Sequence, residues 1–149
     1  MIKYFTYGSN MSVPRIIKRG INPSTGNVGI LKGWELKFNK KASAGDWSFA
    51  NIVENEEGIV EGIVFGITED ELNLLDKFEG APKHYRRQKI EVLSRGEIIE
   101  CITYIAQEEH IVEGLLPTDE YMGFLIDGAS RLSTEYQKMI LSIKTYNPI

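Results

Sequence analysis

The chain has 149 residues, 42% of them hydrophobic and 26% charged, with a formal net charge of -4. Such a length and composition suit one domain with a real core, and acidic charge scattered without a basic face argues against a nucleic acid or anionic membrane partner. The single cysteine, Cys101, excludes an internal disulfide and a cysteine-based zinc cluster, and its place in a strand-like run marks it as a small core residue.

Met1-Ile2-Lys3 leads straight into a β-prone run without an apolar signal core, and no apolar stretch approaches the ~20 residues that span a bilayer. A cytoplasmic protein is expected. The first strand stops at Gly8-Ser9-Asn10, where backbone N–H groups can converge on an anion or oxyanion, although Gly-Ser-Asn is also ordinary loop chemistry. Ser12 then caps a short helix with Pro14 in its first turn, and Gly20 stops it. From residue 28 the pattern is β, with Trp34, Leu36 and Phe38 alternating against Glu35, Lys37 and Asn39 across a half-buried strand, and a polar loop follows over 40–48. Runs at 49–53 and 59–67 flank Glu56-Glu57-Gly58 and predict a hairpin, with Gly62 and Gly66 marking bends or close backbone approach.

Thr68 to Glu71 reads as a capping box opening a helix at about residue 69, with Leu72, Leu75 and Phe78 behind it and Gly80 as its stop. Glu79 therefore falls in the last turn, where the macrodipole is negative and a carboxylate gains nothing. It is either a solvated surface glutamate or a base whose proton is held unusually well. Beyond Pro82, residues 85–94 and 97–106 form a hairpin about Arg95-Gly96. Thr118 caps a helix beginning with Asp119-Glu120, and a last helix runs over 134–144. The order predicts an α+β fold whose mixed, curved, barrel-like sheet carries inserted and C-terminal helices, all within one domain over 1–149.

Two scattered histidines, His84 and His110, predict no metal site, and the serine at position 9 lacks the G-x-S-x-G elbow of a nucleophile. Taken together, Tyr7-Gly8-Ser9-Asn10-Met11, then Leu75-Asp76-Lys77-Phe78-Glu79-Gly80 followed by Tyr85, and the late Tyr121 resemble the gamma-glutamylcyclotransferase family, in an order that covers nearly the whole chain. Tyr7-Gly8-Ser9-Asn10 differs from the Tyr-Gly-Thr-Leu of the related gamma-glutamylamine branch, which tilts the substrate reading.

The resemblance implies cyclisation of a small-molecule L-γ-glutamyl compound to 5-oxoproline without a cofactor, and by analogy a homodimer. It implies Glu79 as the catalytic proton shuttle, the N–H groups of Gly8, Ser9 and Asn10 as a cradle, and Tyr7, Tyr85 and Tyr121 as pocket walls. Read without it, Tyr85 and Tyr121 serve equally well as core, Tyr104 belongs nearer to core than site, and Asn10 equally well braces its own loop. Of the adjacent Arg86 and Arg87, at most one faces a pocket. The loops at 40–48 and 107–116 are expected to contact the group carried on the γ-carboxyl. A metabolite-binding module without catalysis is the alternative.

Overall fold

A computed structural model describes residues 1–148. Its five strands are β1 (Ile2–Thr6), β2 (Asn27–Lys41), β3 (Ser48–Ile67), β4 (Tyr85–Ser94) and β5 (Glu97–Ala106), closed into a barrel in the order β1-β3-β2-β4-β5. All neighbours are antiparallel except β1 and β5, which meet in parallel at Tyr4↔Ile102 and complete the closure. Four α-helices pack outside: α1 (Val13–Lys18), α2 (Glu69–Glu79), α3 (Asp119–Gly128) and α4 (Thr134–Leu141). Among the described residues no helix is long and apolar enough to cross a membrane.

The period-2 alternation of side chains divides the interior into two clusters. Phe5, Leu31, Val60, Val64, Val92 and Cys101 belong to a cluster built from strand residues and Tyr7. Tyr4, Ile63, Phe65 and Ile67 point the other way and meet Met11, Leu72, Leu75, Met122, Leu125 and Ile140 from the helical layer. Burial on both faces explains why β1 and the end of β3 read as continuous apolar runs. It also holds Cys101 at 1% exposure, and burial pushes its thiol up to about 11, as a core residue requires.

The local signals specify most element ends. Ser12 accepts from the Arg15 N–H, both halves of the Thr68–Glu71 capping box are present, and Gly80 closes α2 at φ 64°. Arg95 (φ 53°) and Gly96 (φ 79°) make the two-residue turn between β4 and β5. Thr118 and Ser133 cap α3 and α4, although α4 ends at Leu141, three residues before the predicted end.

The predicted hairpin does not form. Residues 49–67 are not a hairpin but parts of the single strand β3, paired along its length with β2. Lys32 faces Ile59 and Trp34 faces Glu54, so residues 55–58 bulge opposite Gly33, which takes φ 88°. The turn chemistry is genuine, since the Asn55 side chain accepts from the Glu57 N–H, but it kinks a strand instead of reversing it. A side chain at Gly58 would place its Cβ 2.3 Å from the Trp34 carbonyl oxygen. Gly62 marks a close approach as expected, with a Cβ there 2.4 Å from the Thr6 carbonyl oxygen.

Candidate active site

Where β1 ends, the chain enters a 3-10 turn, Ser9–Met11, that no side chain caps. The first N–H groups of such a turn have no intrahelical acceptor. Gly8, Ser9 and Asn10 line one side of a cavity of about 460 Å³, and Glu79, at the end of α2, lines it as well. The loop and the helix end, 69 residues apart, are joined by Asn10, which is 3% exposed. Its Nδ2 donates to Glu79 Oε1 at 3.2 Å and to the Tyr4 hydroxyl at 3.0 Å, while its Oδ1 accepts from Arg19 at 3.1 Å. Every polar atom of the Asn10 side chain is thus spent inside the protein. These bonds brace the loop against Tyr4, Arg19 and the end of α2, through side chains and not through the loop's own backbone.

Glu79 has 19% of its side chain exposed and lies 3.9 Å from Arg19. Burial raises its carboxyl above the ordinary glutamate range, against the opposing pull of Arg19, Arg15 and Lys40 and the hydrogen bond from Asn10. The direction is the one expected from its helix position, but desolvation is the leading cause. Among the described residues Glu79 is the only carboxylate on the cavity wall, whereas Arg15, Arg19, Lys40 and Lys77 all reach it.

Two of those cations, Arg15 and Arg19, escaped the sequence reading, although their i, i+4 spacing just after the loop puts them on one helix face. Arg15 Nε donates to the Ser9 hydroxyl at 3.0 Å and its guanidinium lies over Phe124; Arg19 lies over Phe78. Neither Arg86 nor Arg87 lines the cavity. Arg86 bonds Gln88, and Arg87 forms a bidentate pair with Asp76 at 3.0 and 2.7 Å.

The three tyrosines converge on the cavity with different hydrogen-bonding states. Tyr7 donates to the Tyr104 carbonyl, and Tyr85 donates to the Ala50 carbonyl at 2.8 Å. Tyr121 accepts from the Ala50 N–H at 3.0 Å, so its own proton stays available to a ligand. Burial pushes the Tyr121 hydroxyl up to about 12, keeping it a donor at neutral pH. Tyr104 also lines the cavity, but its hydroxyl bonds Asp76 at 2.6 Å and ties α2 to β5. Of the two loops expected to contact the outer part of a ligand, the first contributes Ala42, Ser43, Ala44 and Trp47 to the wall. The second contributes none and supports the first through bridges Lys40↔Ile111 and Trp47↔Leu116.

The model of the gamma-glutamyl cyclotransferase, AIG2-like family matches residues 4–122, a span that begins in β1 and ends just past Tyr121. The chain belongs to that family. AIG2-like protein D of Arabidopsis thaliana is 27% identical over 143 residues, covering 91% of this chain and 89% of its own. A solved gamma-glutamyl cyclotransferase superposes with a TM-score of 0.86 at 26% identity, covering 98% of this chain and 89% of that one. An uncharacterised protein from Homo sapiens gives the same score and identity over 99% and 90% of the two chains. The α+β barrel is therefore this family's fold.

The Asn10 bridge leads to a direct test. Asn10→Ala removes one donor from the Tyr4 hydroxyl and one from Glu79 Oε1, a loss on the order of 1–3 kcal/mol of stability, read from urea unfolding. Because the Asn10 bond favours the charged carboxylate, its removal should also move the acid limb of the pH–activity profile to higher pH. An unmoved limb in a merely destabilised variant would show that Asn10 serves the fold alone.

Proposed function

We propose that this protein is a γ-glutamyl cyclotransferase, converting an L-γ-glutamyl amino acid or γ-glutamyl amine into 5-oxoproline and the free amino acid or amine. The observation that carries this reading is Glu79, the lone carboxylate among the described residues on the wall of a cavity that also carries cations and tyrosines. A γ-glutamyl group brings an ammonium for that carboxylate and an α-carboxylate for the cations.

In this scheme the α-ammonium gives a proton to Glu79, and the freed nitrogen attacks the γ-carbonyl carbon to form the ring C–N bond. The C–N bond to the leaving group then breaks as Glu79 returns the proton to the departing nitrogen, and the second proton of the ring nitrogen passes to the released amine, which leaves as an ammonium. Nothing else is consumed, and no cofactor enters. General acid–base transfer of this kind is worth about 10²- to 10⁴-fold. The negative charge that develops on the carbonyl oxygen calls for preorganised donors, which the N–H groups of the Gly8–Asn10 turn and the free proton of Tyr121 can supply. Ser9, whose hydroxyl accepts from Arg15, needs no nucleophilic role. Cavity walls that fold the glutamyl chain back on itself contribute through proximity.

The test is incubation of purified protein with a panel of γ-glutamyl amino acids and amines while 5-oxoproline is followed. Formation of 5-oxoproline by the wild-type protein is the expected result. Thermal stabilisation by these compounds with no product over long incubation would mark a binding module instead.

A further inference from the structure

Lys40 is 4% exposed and belongs to none of the ion pairs among the described residues, which join Arg19 to Glu79, Lys37 to Glu35 and Arg87 to Asp76. It is buried because β2 carries an extra residue between Lys37, opposite Asn51, and Lys40, opposite Phe49. The bulge breaks the alternation expected of this strand, and Asn39 and Lys40 are buried in succession. Asn39, expected on the wet face, instead bonds Asn51 and Glu113.

The Lys40 ammonium donates to the Lys41 carbonyl and meets His84 Nδ1, each at 3.0 Å. Both neighbours accept only if His84 is neutral, and burial together with Lys40 lowers the His84 pKa accordingly. An ammonium has three donors. The third has no hydrogen-bond partner among the described residues, Lys40 lines the cavity, and its Nζ stands over the Phe49 and Tyr85 rings at 6.0 and 5.8 Å. Glu79 on the same wall attracts this ammonium without pairing with it directly, and a buried ammonium without a paired anion is costly to keep. The arginines stand elsewhere, Arg15 on α1 and Arg19 just past its end, beside the Ser9–Met11 turn, with guanidinium donors beyond the ones that bond Ser9 and Asn10. Lys40 stands on a different element, at the start of the turn that brings Ser43 and Trp47 to the wall.

We propose that Lys40 determines specificity at the leaving-group side by binding a carboxylate of the departing amino acid, so that γ-glutamyl amino acids are preferred over γ-glutamyl amines. The inference rests on the cyclotransferase reading and deepens it. A γ-glutamyl amino acid has two carboxylates, one for the α1 arginines and one for Lys40. A γ-glutamyl amine with a neutral tail leaves Lys40 unpaired, and one with a cationic tail is repelled.

The matched probes are L-γ-glutamyl-L-alanine and L-γ-glutamylethylamide, which differ by one carboxylate. Wild-type protein should prefer the alanine compound in kcat/KM by about 10- to 100-fold, the range of a charge-assisted hydrogen bond. In Lys40→Met and Lys40→Gln the ratio should fall to within about twofold of unity, mainly through KM, and Lys40→Arg should restore part of it. Equal use of both probes by wild type, or an unchanged ratio in the variants, overturns the proposal. If wild type releases no 5-oxoproline from either probe, the cyclotransferase reading fails by itself. Calorimetric binding of the same probes then decides Lys40 separately: a preference lost on substitution upholds it, and equal affinities overturn it.

Discussion

Glu79→Gln is expected to lower kcat for 5-oxoproline formation by a factor on the order of 10² to 10⁴, because the amide can neither take the proton from the α-ammonium nor return it. The fold should not suffer. Since burial raises the Glu79 carboxyl, the folded protein binds that proton more tightly than the unfolded chain does. Wild-type stability therefore declines as pH rises from the unfolded glutamate value through the higher folded value. The neutral amide escapes this decline. Glu79→Gln should accordingly unfold at the same temperature as wild type or higher at neutral pH, and the difference should vanish in acid below the unfolded value. In the wild-type enzyme kcat/KM should fall as pH drops through the raised Glu79 pKa. Thermal melts and rates across that range check both signs. A folded Glu79→Gln variant that retains full turnover would remove Glu79 from the mechanism.

Gly8→Val is expected to weaken binding of a γ-glutamyl ligand by about tenfold or more, since crowding a packed site costs on the order of 1–3 kcal/mol. A Cβ at Gly8 would already sit 3.2 Å from the Tyr121 hydroxyl and 3.4 Å from the Ala50 Cβ. The valine methyls must then displace Tyr121 from the Ala50 N–H or enter the cavity. Backbone strain is not the cause, because Gly8 has φ −116°. The loss should be graded, smaller for Gly8→Ala than for Gly8→Val, when affinity is measured by calorimetry in the Glu79→Gln background to prevent turnover. Equal binding by wild type and Gly8→Val would argue against a close-fitting cradle at this turn.

The reach of the sequence depended on how local each feature is. Caps at Ser12, Thr68, Thr118 and Ser133, the Gly80 stop and the Arg95-Gly96 turn involve neighbours within a few residues, so their chemistry is legible in the chain. The same local logic misread 55–58, because Asn-Glu-Glu-Gly suits a turn and a bulge equally well, and only the partner strand decides between them. Arg86 and Arg87 drew attention by adjacency, whereas Arg15 and Arg19 reach the cavity because α1 packs beside the opening loop.

The opening turn was visible from the start as loop chemistry able to hold an anion, and Glu79 as a break in helix rules. Their meeting was not. Barrel closure sets Asn10 against Glu79 across 69 residues and leaves Glu79, among the described residues, as the one carboxylate beside the cations of the cavity. By itself the sequence determined most element ends, the family resemblance and the residue types of the site. The tertiary structure alone decided which charges share the cavity and which tyrosine keeps its proton free. Hydrophobic periodicity reports which face of one element is buried, but which buried faces meet depends on how strands register and close, and a single inserted residue such as the β2 bulge changes that.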